Sequence, residues 1–128
     1  MKTKDLRSPL GRAAGLGSAK SGVGSWWRER VTAVALVPLT IWFTAALVMH
    51  MGGDYATAIA WLRTPLAAMA MVLLLIALFW HMALGLQVVI EDYVHSWMKF
   101  PALIAMRFGC FALAVAGITA VLPVFFGK

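Results

Sequence analysis

The chain has 128 residues, 62% of them hydrophobic and only 12% charged, and a mean hydropathy of +0.86 excludes an ordinary soluble domain. Eleven Lys and Arg against five Asp and Glu give a net charge of +6. With no basic face on a soluble scaffold, that excess argues against nucleic-acid binding and for a membrane topology signal.

Residues 1–30 are expected to form a cytoplasmic tail. The stretch Gly11–Ser25, rich in Gly, Ala and Ser, predicts an extended segment held by partners rather than a helix standing alone. No secretory leader is expected, because the first apolar run is too long and lacks a suitably placed small-residue cleavage site. Trp26 and Trp27 suit the headgroup level. Seven of the eleven basic residues (Lys2, Lys4, Arg7, Arg12, Lys20, Arg28, Arg30) precede the first apolar run, which predicts a cytoplasmic N-terminus.

The charge-free runs Val31–Met49, Thr64–Ile90 and Phe108–Gly127 each meet the roughly 20 residues that a spanning helix needs. Period-2 alternation in short strands, the mark of a transmembrane barrel, is missing. The expected fold is all-α and integral to a membrane: three transmembrane helices, over about 28–50, 63–93 and 100–126, in one domain covering 31–128. In the first helix Pro38 frees a carbonyl, and Thr32, Thr40 and Thr44 are placed either to meet such a need or to bond back to their own helix. Cys110 is the single cysteine, so it forms no intrachain disulfide and reads as a packing residue.

The second helix carries the chemistry. His81 is the only ionisable group between Thr64 and Ile90, and an ionisable side chain at membrane depth normally faces a bundle interior and binds something there. It lies ten residues before Glu91, or about 15 Å along the helix, near mid-membrane on the cytoplasmic side. At about 100° per residue, Gly85, Val88 and Asp92 fall on the same stripe as His81, as do Ala77, Leu74, Ala70 and Ala67 behind it. Small residues there admit either another helix or a flat macrocycle, with Gly85 leaving room beside His81 for a porphyrin edge. Spacing alone leaves both readings open: an imidazole bound to haem iron, or one hydrogen-bonded to a neighbouring chain. His50 and His95 lie at helix ends and read as interfacial polar residues, so a second axial ligand has to come from another chain.

At the helix end, Tyr93 and Asp92 read on their own as an interfacial aromatic and a solvated acid, and Arg30 as a lipid-facing arginine of the positive-inside pattern. Three helices with loops this short leave no space for a soluble catalytic domain. A purely structural anchor fits the composition; a small transport subunit would need more polar residues along one lumen than Gln87 and Thr119 provide.

The run His81-x-x-x-Gly85 with Glu91-Asp92-Tyr93-Val94, preceded by Trp26-Trp27-Arg28-Glu29-Arg30-Val31-Thr32-Ala33 and by a tail reading Leu16-Gly17-Ser18-Ala19-Lys20-Ser21-Gly22, resembles the hydrophobic membrane anchor subunits of succinate dehydrogenase, respiratory complex II. The resemblance extends over nearly the whole chain. It implies half of a heterodimeric helical bundle around one haem b, with His81 as this subunit's axial ligand to the iron and a second cytochrome b anchor supplying the other. Tyr93 then matches the quinone-binding tyrosine and Asp92 its acidic neighbour, and Arg30 the arginine near the haem propionates and the quinone pocket. The implied partners are the second anchor, an iron-sulfur subunit and a flavoprotein subunit, together with membrane lipids; the implied substrate is ubiquinone. A bacterial inner membrane is the expected location, ahead of a mitochondrial one. A haem-free structural anchor and a fumarate reductase anchor are the alternatives, since the direction of electron flow is set by the soluble subunits.

Overall fold

The computed structural model describes residues 19–50 and 52–128, with the backbone alone for residues 19–22. The expected extended segment up to Ser18, and the first residues of the tail motif with it, lie outside the described residues. Four helices follow in order: α1 Ala19–His50, α2 Tyr55–Leu62, α3 Pro65–Tyr93 and α4 Lys99–Phe126. No strand occurs among the described residues. Three of the helices, as Val23–His50, Pro65–Tyr93 and Lys99–Phe126, are long and apolar enough to cross a membrane.

Two features depart from the sequence reading. First, α1 starts at Ala19, so the described part of Gly11–Ser25 is helical rather than extended, and the helix begins well before residue 28. Extending a formed helix costs far less than nucleating one, and α1 is nucleated by its long apolar part. Arg28 adds a local bond, its Nε donating to the Gly24 carbonyl at 3.1 Å. Second, the loop between the first two spans contains α2. Its N-cap is Asp54, whose Oδ1 accepts from the Thr57 amide at 2.9 Å and from the Thr57 hydroxyl at 2.7 Å. These two bonds hold the Asp54 carboxyl below its ordinary range. Trp61 of α2 lies 5.0 Å from the His50 ring and 5.8 Å from Trp42, tying the loop back to the end of α1.

The helix α3 is the shared element: it packs against α1 on one side and α4 on the other, while α1 and α4 scarcely meet. Thr64 caps its start and Pro65 occupies the first turn, where a missing N–H costs nothing. Ser96 takes a left-handed φ of 84° in the short reversal between Tyr93 and Lys99. α4 ends at Gly127, whose φ of 75° is open to a residue without Cβ; the Lys128 amide then reaches the Pro123 carbonyl at 2.9 Å.

Little is buried in this arrangement. Ala46, Ala67, Ala68, Leu74, Ala77 and Cys110 form the apolar core, and no large side chain among the described residues is fully enclosed. Small residues at the contacts let the backbones approach, as membrane helices require. At Gly117 of α4 an added Cβ would lie 3.0 Å from the Leu75 methyls of α3, which places that contact among the close ones. Large apolar side chains such as Val34, Ile41, Phe108 and Phe111 point outwards, where lipid or other subunits cover them.

Candidate functional site

α1 and α3 run antiparallel, and their register brings Thr32 against His81. The Thr32 hydroxyl oxygen lies 3.0 Å from His81 Nδ1. It also lies 2.9 Å from the Arg28 carbonyl and 3.0 Å from that of Glu29. Equal strides of about fourteen residues, or about 21 Å, carry Ala46 of α1 to the level of Ala67 of α3; both are buried, so the same contact continues to the far end of the pair.

Thr32 is 8% exposed and is the one buried polar side chain among the described residues. A hydroxyl in an apolar contact needs a partner, and this one has three within reach. His81 itself is half-buried. Its Nε2 has no hydrogen-bond partner among the described residues. One ring nitrogen engaged by a neighbouring helix and the other left available is the usual arrangement of a metal-ligating histidine.

The stripe through His81 divides at that residue. Behind it Ala67, Leu74 and Ala77 are buried and Ala70 half-buried; these serve helix packing. Beyond it Val88 is 48% exposed and Asp92 exposed, and a Cβ built on Gly85 would meet nothing within 4 Å. The space beside Gly85 is therefore open in this chain and accepts a flat group or another helix. No cluster of three or more His, Cys, Asp or Glu side chains suited to a metal ion occurs among the described residues. His50 lies at the opposite end of α1, its Nδ1 2.7 Å from the Ala46 carbonyl, and His95 is exposed in the turn after α3. Neither stands beside His81.

Arg30, Asp92 and Tyr93 lie at the same end of the bundle, because α1 starts where α3 finishes. The Arg30 guanidinium sits over the Trp26 ring, 5.4 Å from its centroid, a cation–π contact. Tyr93 is 81% exposed, and neither its hydroxyl nor the Asp92 carboxylate has a partner among the described residues. On the other side of α3, Arg107 of α4 donates to Gln87 Oε1 at 3.0 Å and Gln87 Nε2 donates to Glu91 at 2.8 Å. Lys99 reaches the Glu91 carbonyl at 3.4 Å. This chain of contacts fixes the C-terminal end of α3 to α4 and leaves Asp92 and Tyr93 outside it.

The sequence leaves Thr32 either to meet the carbonyl freed by Pro38 or to bond back to its own helix. It bonds back, and its contact with His81 is not among the sequence expectations. The available signal was Thr32 in the Arg30-x-Thr32-Ala33 motif: a hydroxyl two residues into the span, at a depth that an antiparallel neighbour brings level with His81. Thr40 also bonds back, to the Leu36 and Val37 carbonyls.

A family model described as the succinate dehydrogenase/fumarate reductase transmembrane subunit matches residues 4–121. Among curated proteins, the chain is 32% identical to the succinate dehydrogenase hydrophobic membrane anchor subunit of Rickettsia bellii, over 93% of this chain and 96% of that one. It is 31% identical to the corresponding subunit of Paracoccus denitrificans over 85% of each chain, and 28% identical to that of Rickettsia conorii over 91% of this chain and 94% of the other. No solved structure matches.

Proposed function

The chain belongs to the succinate dehydrogenase/fumarate reductase transmembrane subunit family, and from that premise we propose that it anchors a succinate:quinone oxidoreductase in a bacterial inner membrane, supplies one axial ligand to a haem b and forms part of a ubiquinone site. All three relatives described above are named as succinate dehydrogenase subunits, which favours the succinate-oxidising direction. The partners are a flavoprotein, an iron-sulfur subunit and a second anchor. With neither His50 nor His95 beside His81, a second ligand to the iron would come from that second anchor.

The observation that carries the haem reading is His81 itself: an imidazole within an apolar helix, one nitrogen against Thr32 and the other without a partner among the described residues, next to the open space at Gly85. The residues fit the group. His81 would hold the iron, and Arg30, at the same end as Tyr93, would meet a propionate or the quinone headgroup. Haem in this position supplies a one-electron store within the membrane.

Oxidation of succinate to fumarate releases two electrons and two protons, and a quinone takes up two of each to become a quinol. The protein has to deliver hydrogen bonds that strengthen as the quinone oxygens gain charge, and a proton path from water. The Tyr93 phenol is suited to donate to a quinone oxygen. Asp92, exposed at the same helix end, is suited to pass protons from the cytoplasmic side. The positive-inside bias of the sequence orients that end towards the cytoplasm, where the iron-sulfur subunit delivers its electrons.

The test is a reduced-minus-oxidised spectrum of the detergent-purified complex, wild type beside His81→Ala. A b-type signal present in the first and lost in the second is the expected result. An undiminished signal in the variant removes His81 as a ligand, and absence of signal from both makes this a haem-free anchor.

A further inference from the structure

The hydroxyl of Thr32 lies between a histidine nitrogen and two backbone carbonyls, and that position decides where the hydrogens go. Carbonyls only accept. Thr32 Oγ1 has one hydrogen to give, and two arrangements use it. In the first, the hydroxyl donates to the Arg28 or Glu29 carbonyl, and His81 Nδ1–H donates to Thr32 Oγ1; Nε2 is then a bare acceptor. In the second, the hydroxyl donates to Nδ1, and the hydrogen sits on Nε2, where no acceptor is found among the described residues. Nε2 opens out of this chain within a span apolar enough to cross a membrane, where no water meets an unpaired N–H, and orphaned N–H groups are rarer than under-used acceptors. The first arrangement satisfies both donors.

We propose that Thr32 is a positioning residue for His81: it accepts the Nδ1 hydrogen, relays its own to the carbonyl of the preceding turn, and so fixes the tautomer whose Nε2 lone pair is free to bind iron. This inference rests on the reading of His81 as a haem ligand and adds to it a group on another helix. Because the relay ends on backbone held within α1, the ring's orientation is tied to the packing of α1 on α3. An Nδ1–H bond to an acceptor raises the donor strength of the other nitrogen, which favours oxidised iron and lowers its reduction potential.

The experiment compares Thr32→Val, which keeps the shape and removes the hydroxyl, with Thr32→Ser, which keeps the hydroxyl, in the purified whole complex. Haem per flavin and the haem midpoint potential are measured in each. Thr32→Val is expected to weaken haem retention by about 10–100-fold and to move the potential upwards; Thr32→Ser is expected to match wild type in both. If Thr32→Val does not assemble, Thr32→Ala against Thr32→Ser gives the same contrast, since those two differ only in the hydroxyl. Wild-type potential and retention in the variants lacking the hydroxyl would overturn the proposal, as would equal shifts in the serine variant. The nitrogens of His81 with the haem iron reduced, low-spin and diamagnetic, read by 15N magic-angle-spinning spectroscopy, separate this failure from that of the haem reading. Hydrogen on Nε2 rather than Nδ1 overturns the role of Thr32 whether or not haem is present, whereas hydrogen on Nδ1 in a complex without haem supports the hydrogen-bond arrangement and refutes only the ligand assignment.

Discussion

The N-terminal and C-terminal halves of α3 belong to one continuous helix and have opposite surroundings. From Pro65 to Ala77 the stripe towards α1 is made of small residues and is closed: Ala67, Leu74 and Ala77 are buried. From His81 to Tyr93 the continuation of that stripe is open, with free space at Gly85 and with Val88 and Asp92 exposed. The difference teaches a division of labour. The closed half fixes the register of α1 on α3, and the register in turn delivers Thr32 to His81. The open half then has its side chains available to groups outside this chain. A helix closed along its whole length would leave nothing for a cofactor or quinone, and one open along its whole length would leave His81 without a fixed neighbour.

The largest effect expected from disturbing this contrast is at the open end. Tyr93→Phe removes one hydroxyl that bonds nothing among the described residues, so the fold and haem spectrum stay unchanged. If the hydroxyl donates to a quinone oxygen as it gains charge, a bond of about 1.5–3 kcal/mol is lost, and quinone reductase turnover falls about tenfold to a hundredfold. Succinate oxidation with an artificial acceptor that bypasses the membrane serves as the control. Unchanged quinone turnover would take Tyr93 out of the site and turn it into an interfacial aromatic.

Substitutions in the two halves of the stripe sharpen the comparison next. Ala77→Leu pushes a larger side chain into the closed contact, where overpacking costs about 1–3 kcal/mol; the assembled complex should melt earlier in detergent. The Cβ of Gly85→Leu meets nothing within 4 Å in this chain, so the subunit should insert and assemble normally. Haem per flavin should nevertheless fall, because the added side chain occupies the space next to His81. An equal loss of stability in both variants would mean that the C-terminal half is covered as tightly as the N-terminal one. Full haem content in Gly85→Leu would mean that the space there faces lipid or a helix instead of a porphyrin.

Much of this was legible in the sequence, for physical reasons that also explain what was not. Hydrocarbon thickness and the lack of charge fix the number of spans, and a lone histidine in such a run draws attention to itself because ionisable groups are so costly there. The 3.6-residue period then places His81, Gly85 and Asp92 on one stripe. Periodicity says which residues share a face, however, and not what covers it: Ala77 and Gly85 are equally small, and only the packing of α1 tells them apart. The Thr32–His81 contact joins residues 49 positions apart, and a pairing across two helices depends on a register that neither helix contains alone. α2 was hidden for another reason. Its length of eight residues is too short for a span, and the charge-free runs on either side drew the whole interval as a loop, although Asp54 followed by Thr57 carries the start signal of a helix.

That short helix gives the smallest effect. α2 stands at the N-terminal end of α3, beside its closed half, and its cap depends on an exposed carboxylate. Hydrogen bonds from the Thr57 hydroxyl and amide lower the Asp54 pKa from its ordinary 3.8, so the folded form binds a proton less readily than the unfolded one. The stabilisation is complete above that ordinary value and is lost as the pH falls below it, through the lower folded value. Amide exchange in Thr57 to Trp61 should therefore quicken at acid pH, before any change at Thr32 or His81. Asp54→Asn keeps an acceptor at the cap but has nothing to titrate, so its α2 should exchange at a protection independent of pH over the same range, once the intrinsic pH dependence of exchange is removed. If the C-terminal half loosened together with α2, the two ends of α3 would form a single cooperative unit, and the division between a closed half and an open half would describe surroundings without describing stability.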